Sequence, residues 1–403
     1  MYTPQSDRPP DLPDFALTDE DLRGSRDMKW RDCPPDVIPA WIADLDVRPA
    51  EAVRRALHRA VDAGDTGYPS RSNRDLPEVL ASWLDARFGW HPDPNNIVLA
   101  ADAVVGVALA IEALCTSDPV IVPIPSYPPF LDAVPRTGRQ LIPVPCQRDE
   151  GRASLDFEAM DKGLAAGART ILLTNPHNPL GRCWTSSELM NLKEVADGHG
   201  ARVISDEIHA PLVLPGARHV PYAQIDPERH ITVISASKAW NLPGLKCAQI
   251  IVGEAADARA LGALPRAANR GVSSLGIAAS IAAYRDASEW LDGLVSHIAA
   301  RREQFGRLMT EMLPHLTWEP LEATYLAWVD ARATGLADPS ATALERGRVL
   351  LDPGSTFGPA GVPLVSGRTA PRYDGFARVN IGTSAERLGR IVAGLARAWS
   401  PQR

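Results

Sequence analysis

The amino-acid sequence predicts an α/β fold, with a mainly parallel central sheet covered by helices and a smaller α/β domain beside it. Three observations support this prediction. The chain has 403 residues, which is too long for a single small core. From about residue 95, short apolar runs alternate with amphipathic helical stretches, as in parallel sheets covered on both faces. After about residue 275 this alternation slows, which indicates a second unit.

Six short, β-branched runs bounded by polar or turn residues are predicted to be buried strands of the central sheet. They lie at residues 96–100, 119–123, 170–174, 202–205, 231–235 and 249–252. Helices are predicted between them. One begins after Thr185, because the segment from Thr185 to Glu188 has the form of a capping box.

The second unit begins with a long helical region at about residues 277–313. Strand-like segments follow at 324–330 and 376–381, with a last helix from about Ala385. Residues 1–25 are rich in Pro and Asp, and we expect a poorly ordered or draping arm there. The predicted domains are therefore an arm with part of the small domain (1–45), a large domain that contains the central sheet (46–275) and a small C-terminal domain (276–403).

Composition and charge indicate an ordinary globular protein. Hydrophobic residues make up 45% of the chain and charged residues 23%, and the net charge is -7. An acidic chain without basic runs argues against a nucleic-acid or membrane partner. Five cysteines lie far apart without a CxxC pair, which argues against a disulfide framework and a zinc site. We therefore expect a cytoplasmic protein without a bound metal.

Polar clusters follow three of the predicted strands, at residues 174–181, 205–209 and 235–238. Each cluster alone has an ordinary explanation, such as a turn, a helix cap or a solvated loop. Ligands of parallel sheets bind beyond the carboxyl ends of the strands, where the three clusters would meet. Together, in this order, the clusters suit the carbanion chemistry of pyridoxal 5'-phosphate (PLP).

PLP chemistry requires a set of groups that the chain supplies. Lys238 can form an imine with the cofactor aldehyde. Asp206 can keep the ring nitrogen protonated, and Asn178 can donate to the ring oxygen. Tyr127 can cover the ring face. Hydroxyls and a cation for the phosphate are available from Ser235, Ser237 and Lys246.

These motifs resemble those of fold-type-I PLP enzymes in the class I/II aminotransferase superfamily, and most closely the MalY/PatB branch of cystathionine β-lyases, or C-S lyases. The resemblance runs from about Lys29 to Gly382. Its most specific parts are Asp206-Glu-Ile-His209 and the segment from Ser237 to Lys246. Weaker matches lie at residues 41–46, 66–68, 325–330 and 376–382. The resemblance implies the PLP-dependent transferase (aspartate aminotransferase-like) fold.

The resemblance also implies roles at the matching positions. Lys238 would be the imine lysine and proton shuttle, and Asp206 and Tyr127 would be catalytic with it. Tyr68 would reach the phosphate of the neighbouring subunit's cofactor, which implies a homodimer with composite sites. Arg378 would hold the substrate carboxylate as a bidentate fork.

The phosphate cradle departs from the branch, which often has Pro-Gly-Val-Val where this chain has Asp102-Ala-Val-Val105. The helix N-terminus can still present the backbone N–H groups of Val104 and Val105 to a phosphate. The Asp102 carboxylate would repel a phosphate unless it points away. His209 is predicted either to contact Asp206 or the cofactor edge, or to be structural. Trp41 and Trp240 are predicted either to line the substrate pocket or to belong to the core.

Three hypotheses for the function remain open from the sequence. The first is β-elimination from cystathionine or another, including bulky, cysteine S-conjugate, giving a thiol, pyruvate and ammonia. The second is an aminotransferase, with a variant that couples decarboxylation to deamination in a specialised biosynthetic pathway. The third is a non-catalytic regulator on a PLP-enzyme fold, which the full set of cofactor residues argues against.

Overall fold

A computed structural model describes residues 12–400, apart from residues 71, 150–151, 266, 269–270 and 360. Within these residues the α-helices are α1 (Asp19–Gly24), α2 (Met28–Arg31), α3 (Glu51–Asp62), α4 (Asp75–Phe88), α5 (Ala103–Leu114), α6 (Pro128–Arg136), α7 (Phe157–Ala165), α8 (Ser186–Gly198), α9 (Tyr222–Ile225), α10 (Ala255–Ala263), α11 (Ser274–Asp286), α12 (Ser288–Met312), α13 (Pro339–Thr342) and α14 (Ala385–Trp399). None of these helices is long and apolar enough to cross a bilayer.

The strands of the same residues are β1 (Ile38–Pro39), β2 (Ile97–Ala100), β3 (Val120–Ile124), β4 (Leu141–Pro145), β5 (Gln147–Asp149), β6 (Arg152–Ser154), β7 (Thr170–Thr174), β8 (Arg202–Asp206), β9 (Ile231–Ile234), β10 (Ala248–Val252), β11 (Thr317–Trp318), β12 (Leu326–Asp330), β13 (Val349–Leu350), β14 (Asp352–Pro353) and β15 (Phe376–Asn380). Seven of them form the central sheet in the order β2-β10-β9-β8-β7-β3-β4. All pairs are parallel except those of β10 with its two neighbours. The predicted mainly parallel central sheet is thus confirmed.

The central strands are apolar because helices cover both faces of the sheet. Ile121 and Ile171 pack with α7 and α8 on one face, while Val122 and Leu172 pack with α5 on the other. Successive side chains of a strand point to opposite faces, so both must be apolar when both faces are covered. This burial produces the short apolar runs from which the strands were predicted.

One strand of the central sheet, β4, is missing from the sequence prediction. Its sequence is Leu-Ile-Pro-Val-Pro, and it lies at the edge of the sheet beyond β3. Proline lacks the backbone N–H that a central strand needs, so it weakens any strand prediction. An edge strand pairs on one side only and therefore tolerates Pro143 and Pro145.

A smaller antiparallel sheet has the order β11-β12-β15-β14 and packs against α12 and α14. The long helical region predicted before it is two helices, α11 and α12, which are separated at Ala287. The last helix begins with a Ser384 cap, close to the predicted start. The predicted capping box of α8 is also present, with Thr185 and Glu188 each accepting a backbone N–H of the other.

The amino-terminal segment packs on the smaller sheet and its helices. Phe15 stacks on His297 of α12 at 3.6 Å between ring centroids. The short helix α1, which is missing from the sequence prediction, places Asp19 against Arg387 and Arg390 of α14. Residues 1–11 of the predicted arm lie outside the described residues, and the part from residue 12 onward lies along the smaller unit.

A buried ion pair fixes the segment that leads into the central sheet. The Lys29 ammonium lies 3.0 Å from the Asp46 carboxylate, and both side chains are almost fully buried. Asp46 also accepts from the Trp30 indole at 2.7 Å and from the Thr383 hydroxyl at 2.6 Å. The loop at residues 41–46 is therefore held between the N-terminal segment and the smaller sheet.

Candidate active site

The carboxyl ends of β7, β8 and β9 meet at one edge of the central sheet, and all three predicted polar clusters lie there. The Asn175 N–H donates to the Asp206 carbonyl, and the Glu207 N–H donates to the Val233 carbonyl, both at 2.8 Å. These bonds continue the parallel register beyond the strands. The structure thereby gathers Asn178, Asp206 and Lys238 around one cleft.

Lys238 lies in this cleft with its amine against a backbone oxygen. Its Nζ donates to the Ala43 carbonyl at 2.8 Å. Burial lowers the pKa of Lys238, Asp44 nearby raises it and Arg378 lowers it further. A lowered pKa increases the fraction of neutral amine, which is the form that acts as a nucleophile or base.

Asp206 is a buried carboxylate with one backbone hydrogen bond, from the Ile208 N–H at 3.2 Å. Burial raises its pKa to about 7, although the Ile208 N–H and Lys238 act in the opposite direction. Among the described residues it has no ion-pair partner within 4 Å. A cation placed beside this carboxylate would restore its ionised form.

His209 follows three residues after Asp206 and is buried as well. Burial, together with smaller effects of Lys238 and Arg378, lowers the pKa of His209 to about 3, so the ring is neutral at physiological pH. Its Nδ1 has no hydrogen-bond partner within the described structure. A buried ring nitrogen without a partner is costly, so it is available to a ligand group that enters the cleft.

Arg378 comes from β15 of the smaller sheet and reaches the same cleft. It donates to the Asn178 side-chain oxygen at 3.0 Å and forms an ion pair with Asp352. Its guanidinium stacks over Phe357 at 5.0 Å, and its Nε has no hydrogen-bond partner among the described residues. These contacts hold the planar fork in place, and the free Nε provides a further donor for a carboxylate.

The predicted phosphate cradle lies at the start of α5. The Asp102 carboxylate accepts hydrogen bonds from two of the groups that were predicted to bind the phosphate. Asp102 accepts from the Val105 N–H at 2.9 Å and contacts the Lys246 ammonium at 3.0 Å. Asp102 therefore faces the cradle instead of pointing away from it. Nearby, Ser235 accepts from the Ser237 N–H at 3.1 Å and donates to the Cys247 carbonyl.

The four predicted aromatic residues have different surroundings. Tyr127 is the N-cap residue of α6 and lies inside the cleft. Burial raises its pKa, and Arg378, Asp206 and Asp102 are its charged neighbours.

Trp41 lies on the loop beside Ala43 and donates to the Lys29 carbonyl at 3.2 Å. Tyr68 is fully exposed. Trp240 belongs instead to the hydrophobic core, where it is fully buried and donates to the Ala287 carbonyl.

Several residues of the cleft carry no role in the sequence analysis. They are the carbonyl of Ala43, the Tyr325 hydroxyl that donates to it, and Asp352 beside Arg378. Tyr325 lies in a segment that resembles the lyase branch, but the motif alone does not indicate what its hydroxyl contacts. The role of a backbone carbonyl cannot be predicted from the residue type, because every residue has one.

The fold and the strand-end cleft are those of the aspartate aminotransferase-like class, as predicted from the sequence. The chain belongs to the family described as aminotransferase class I and II, whose model matches residues 42–395. A candidate cystathionine beta-lyase of Mycobacterium leprae is 38% identical, over 95% of this chain and 97% of that protein. Cystathionine beta-lyase PatB of Bacillus subtilis is 32% identical, over 94% of this chain and 98% of that protein.

A crystal structure from Corynebacterium diphtheriae has the same fold, with a TM-score of 0.87 and 34% sequence identity. It covers 96% of this chain and 99% of that one, and its protein is described as a candidate PLP-dependent beta-cystathionase. The predicted resemblance to class I/II aminotransferases and their C-S lyase branch is therefore confirmed.

The cleft suits PLP by the chemistry of its donors. Within the part of the chain that the structure describes, Asp206 has no ion-pair partner, which a protonated pyridine nitrogen would supply, and the Nδ1 of His209 has no hydrogen-bond partner. An amine, a planar guanidinium and an aromatic ring face the same space. The residues present therefore match a cofactor with a ring nitrogen, a ring oxygen, an aldehyde and an anionic phosphate.

Proposed function

We propose that this chain is a PLP-dependent C-S β-lyase. It cleaves cystathionine or another cysteine S-conjugate, bulky ones included, and releases a thiol, pyruvate and ammonia. The observation that carries the proposal is the buried Asp206 carboxylate, which has no ion-pair partner among the described residues and shares its cleft with the Lys238 amine. The named lyases among the relatives support the reaction class.

The cofactor would be held from four sides. Lys238 would carry it covalently, Asp206 would pair with the ring nitrogen, and Asn178 and His209 would contact the ring edge. Tyr127 would cover the ring face. The phosphate would be bound by the Val104 N–H and the hydroxyls of Ser235 and Ser237, and it would take the place of the Asp102 carboxylate at the Val105 N–H and Lys246. When bound, PLP withdraws electrons from the bonds at the substrate's α-carbon.

The chain's own residues then select which bond breaks. Arg378 binds the α-carboxylate, and because Asn178, Asp352 and Phe357 fix its guanidinium, the substrate is held in one orientation. Lys238, as a neutral amine, removes the Cα proton. The Cβ–S bond then breaks and the sulfur leaves as a thiol. Hydrolysis of the remaining three-carbon fragment gives pyruvate and ammonia, with one water consumed.

The products of the purified enzyme test this proposal. Incubation with cystathionine and several cysteine S-conjugates should release pyruvate, ammonia and free thiol in equal amounts, as measured by coupled and colorimetric assays. Carbon dioxide release with an intact thioether would replace lysis by decarboxylation-coupled deamination. A strict requirement for a 2-oxo acid would instead show an aminotransferase.

We further propose a homodimer with composite sites, in which Tyr68 reaches the partner's cofactor phosphate. Tyr68 is a large aromatic side chain that is fully exposed on the single chain. Large exposed aromatics are frequent at protein interfaces. The side chain makes no contribution to the core of its own chain, so a role in a partner's site explains its position.

Mixing two inactive variants tests the composite site. Tyr68→Ala and Lys238→Ala should each be nearly inactive, and Tyr68→Ala should unfold at the wild-type temperature. After unfolding and refolding together, heterodimers carry one intact site, so activity should return to about one quarter of wild type. No recovery in the mixture, or a fully active monomer in sedimentation, would contradict the proposal.

We also propose boundaries for the domains and a cellular location. We propose residues 46–275 as the large cofactor-binding domain, residues 276–403 as the small domain, and residues 1–45 as an arm that belongs partly to it. Packing of Phe15 and α1 on the smaller unit supports the last assignment. A cytoplasmic location is supported by five free cysteines, of which Cys33, Cys183 and Cys247 are buried.

A further inference from the structure

One backbone oxygen in the cleft accepts two hydrogen bonds from distant parts of the chain. The carbonyl of Ala43 accepts from the Lys238 amine at 2.8 Å and from the Tyr325 hydroxyl at 2.9 Å. A carbonyl oxygen has two lone pairs, so both of its acceptor positions are filled. The two donors lie beyond β9 of the central sheet and directly before β12 of the smaller sheet.

The loop that carries this carbonyl is fixed on both sides of Ala43. The Asn380 side-chain amide donates to the carbonyls of Ile42 and Asp44, each at 2.7 Å. Lys29 also donates to the Asp44 carbonyl, at 3.0 Å. The oxygen of Ala43 is therefore a rigid acceptor rather than part of a mobile loop.

Tyr325 is buried in the cleft, and the residue before it has a strained backbone conformation. The Tyr325 side chain is fully buried, and burial raises its pKa well above the ordinary value, so the hydroxyl stays a donor. The preceding residue, Thr324, has a φ of 63°, and its buried hydroxyl has no hydrogen-bond partner in the described part of the chain. A β-branched residue in this left-handed region is a true outlier, and such strain persists where function requires the position.

We propose that the Ala43 carbonyl, held by the Tyr325 hydroxyl, is the docking point of the Lys238 amine whenever that amine is not bonded to the cofactor, and that Tyr325 is a positioning residue for proton transfer. This inference rests on the proposed function, in which the substrate's amine displaces Lys238 before the Cα proton is removed. The uncharged Ala43 carbonyl is a suitable acceptor for Lys238 once the amine has been released from the cofactor. An amine that donates one N–H to a carbonyl keeps its lone pair for the proton, whereas a carboxylate would favour the ammonium form.

Replacing Tyr325 with Phe removes one donor and keeps the packing. Tyr284→Phe is the matched control, because Tyr284 is equally buried and donates once, to Gln249 at 3.2 Å, in the hydrophobic core. The first readout uses the full-length chain after removal of the cofactor. Lys238 is labelled with an amine-reactive ester across a pH series, and the labelled peptide is quantified by mass spectrometry.

We expect the labelling pKa of Lys238 to rise by roughly 0.5–1 unit in Tyr325→Phe, since the freed carbonyl stabilises the ammonium form better. In the holoenzyme, kcat should fall about tenfold, while KM and cofactor content stay within about twofold of wild type. The isotope effect with α-deuterated substrate should increase, because proton removal becomes slower.

Unchanged labelling together with an unchanged isotope effect would overturn the inference. Equal changes in Tyr284→Phe would also overturn it, since they would show a general effect of losing a buried hydroxyl. The labelling does not depend on turnover. If no cysteine S-conjugate is cleaved by the wild type, the proposed function fails while the docking of Lys238 is still measured.

Discussion

Replacing Lys238 with alanine is expected to lower turnover at least about a thousandfold, the upper part of the range for loss of a general base. The cofactor should still bind, because the contacts of Asp206, Asn178 and the phosphate cradle remain. Alanine can neither carry the cofactor covalently nor remove the Cα proton. Steady-state turnover and the cofactor content of the purified variant together check both parts of this prediction.

Peptide mapping identifies the lysine that carries the cofactor. Borohydride reduction of the wild type should fix PLP on Lys238. Lys246→Ala serves as the control, because it removes the ammonium that lies 3.0 Å from Asp102 and should weaken cofactor retention while leaving covalent attachment intact. A reduced adduct on Lys246 in the wild type would reverse the two assignments.

The Asp206→Asn variant is expected to lose about a hundredfold or more in turnover, yet to gain stability when the cofactor is removed. A neutral amide cannot keep the pyridine nitrogen protonated, which accounts for the lost turnover. In the cofactor-free protein, burial raises the pKa of Asp206 to about 7, well above the value of an unfolded chain. The folded state therefore binds the proton more tightly than the unfolded state does.

The sign of the pH dependence follows from that difference. The contribution of Asp206 to stability is fully present below about pH 4 and is lost as the pH rises to about 7. At pH 8 the cofactor-free Asp206→Asn variant should therefore be more stable than wild type, by roughly 2–4 kcal/mol, with the gain vanishing near pH 4. Denaturant unfolding at both pH values measures this, and a variant that is less stable at pH 8 would contradict it.

Glu207→Gln is the matched control for Asp206, because Glu207 is the adjacent buried carboxylate with its hydrogen bonds satisfied. It accepts from the Ser205 hydroxyl at 3.0 Å and the Tyr222 N–H at 2.8 Å, and it pairs with His219 at 3.0 Å. Its loss should lower stability with and without cofactor. Comparing the stabilities of the two variants distinguishes a carboxylate that binds the cofactor from one that stabilises the fold.

The sequence predicts the central sheet well because burial on both faces forces its strands to be apolar. It predicts the cofactor side of the cleft for a related reason. Asp206 ends a buried strand, Asn178 and Lys238 lie on the loops that follow two others, and parallel strands bring their carboxyl ends together. The edge strand β4 is missed because it contains two prolines, which are more typical of loops than of strands.

Other features of the cleft depend on contacts that a sequence does not record. The oxygen that receives Lys238 belongs to the backbone of Ala43, and any residue type would supply it. Trp240 follows two positions after Lys238, yet it packs with Trp83 and Tyr284 in the core. An indole suits a core and a substrate pocket equally well, so the residue type alone does not decide between them.

The buried pair of Lys29 and Asp46 links the N-terminal segment to the loop at residues 41–46 that lines the cleft. Asp46 lies three residues after Ala43, and its carboxylate has almost no access to water. A truncation, gene fusion or alternative start that removed Lys29 would leave this carboxylate with only the more distant Arg387, at 3.7 Å, and loss of one partner of a buried pair costs up to about 3–5 kcal/mol. Loss of the N-terminal segment would therefore also destabilise the loop that receives Lys238, since Lys29 contacts both Asp46 and the Asp44 carbonyl.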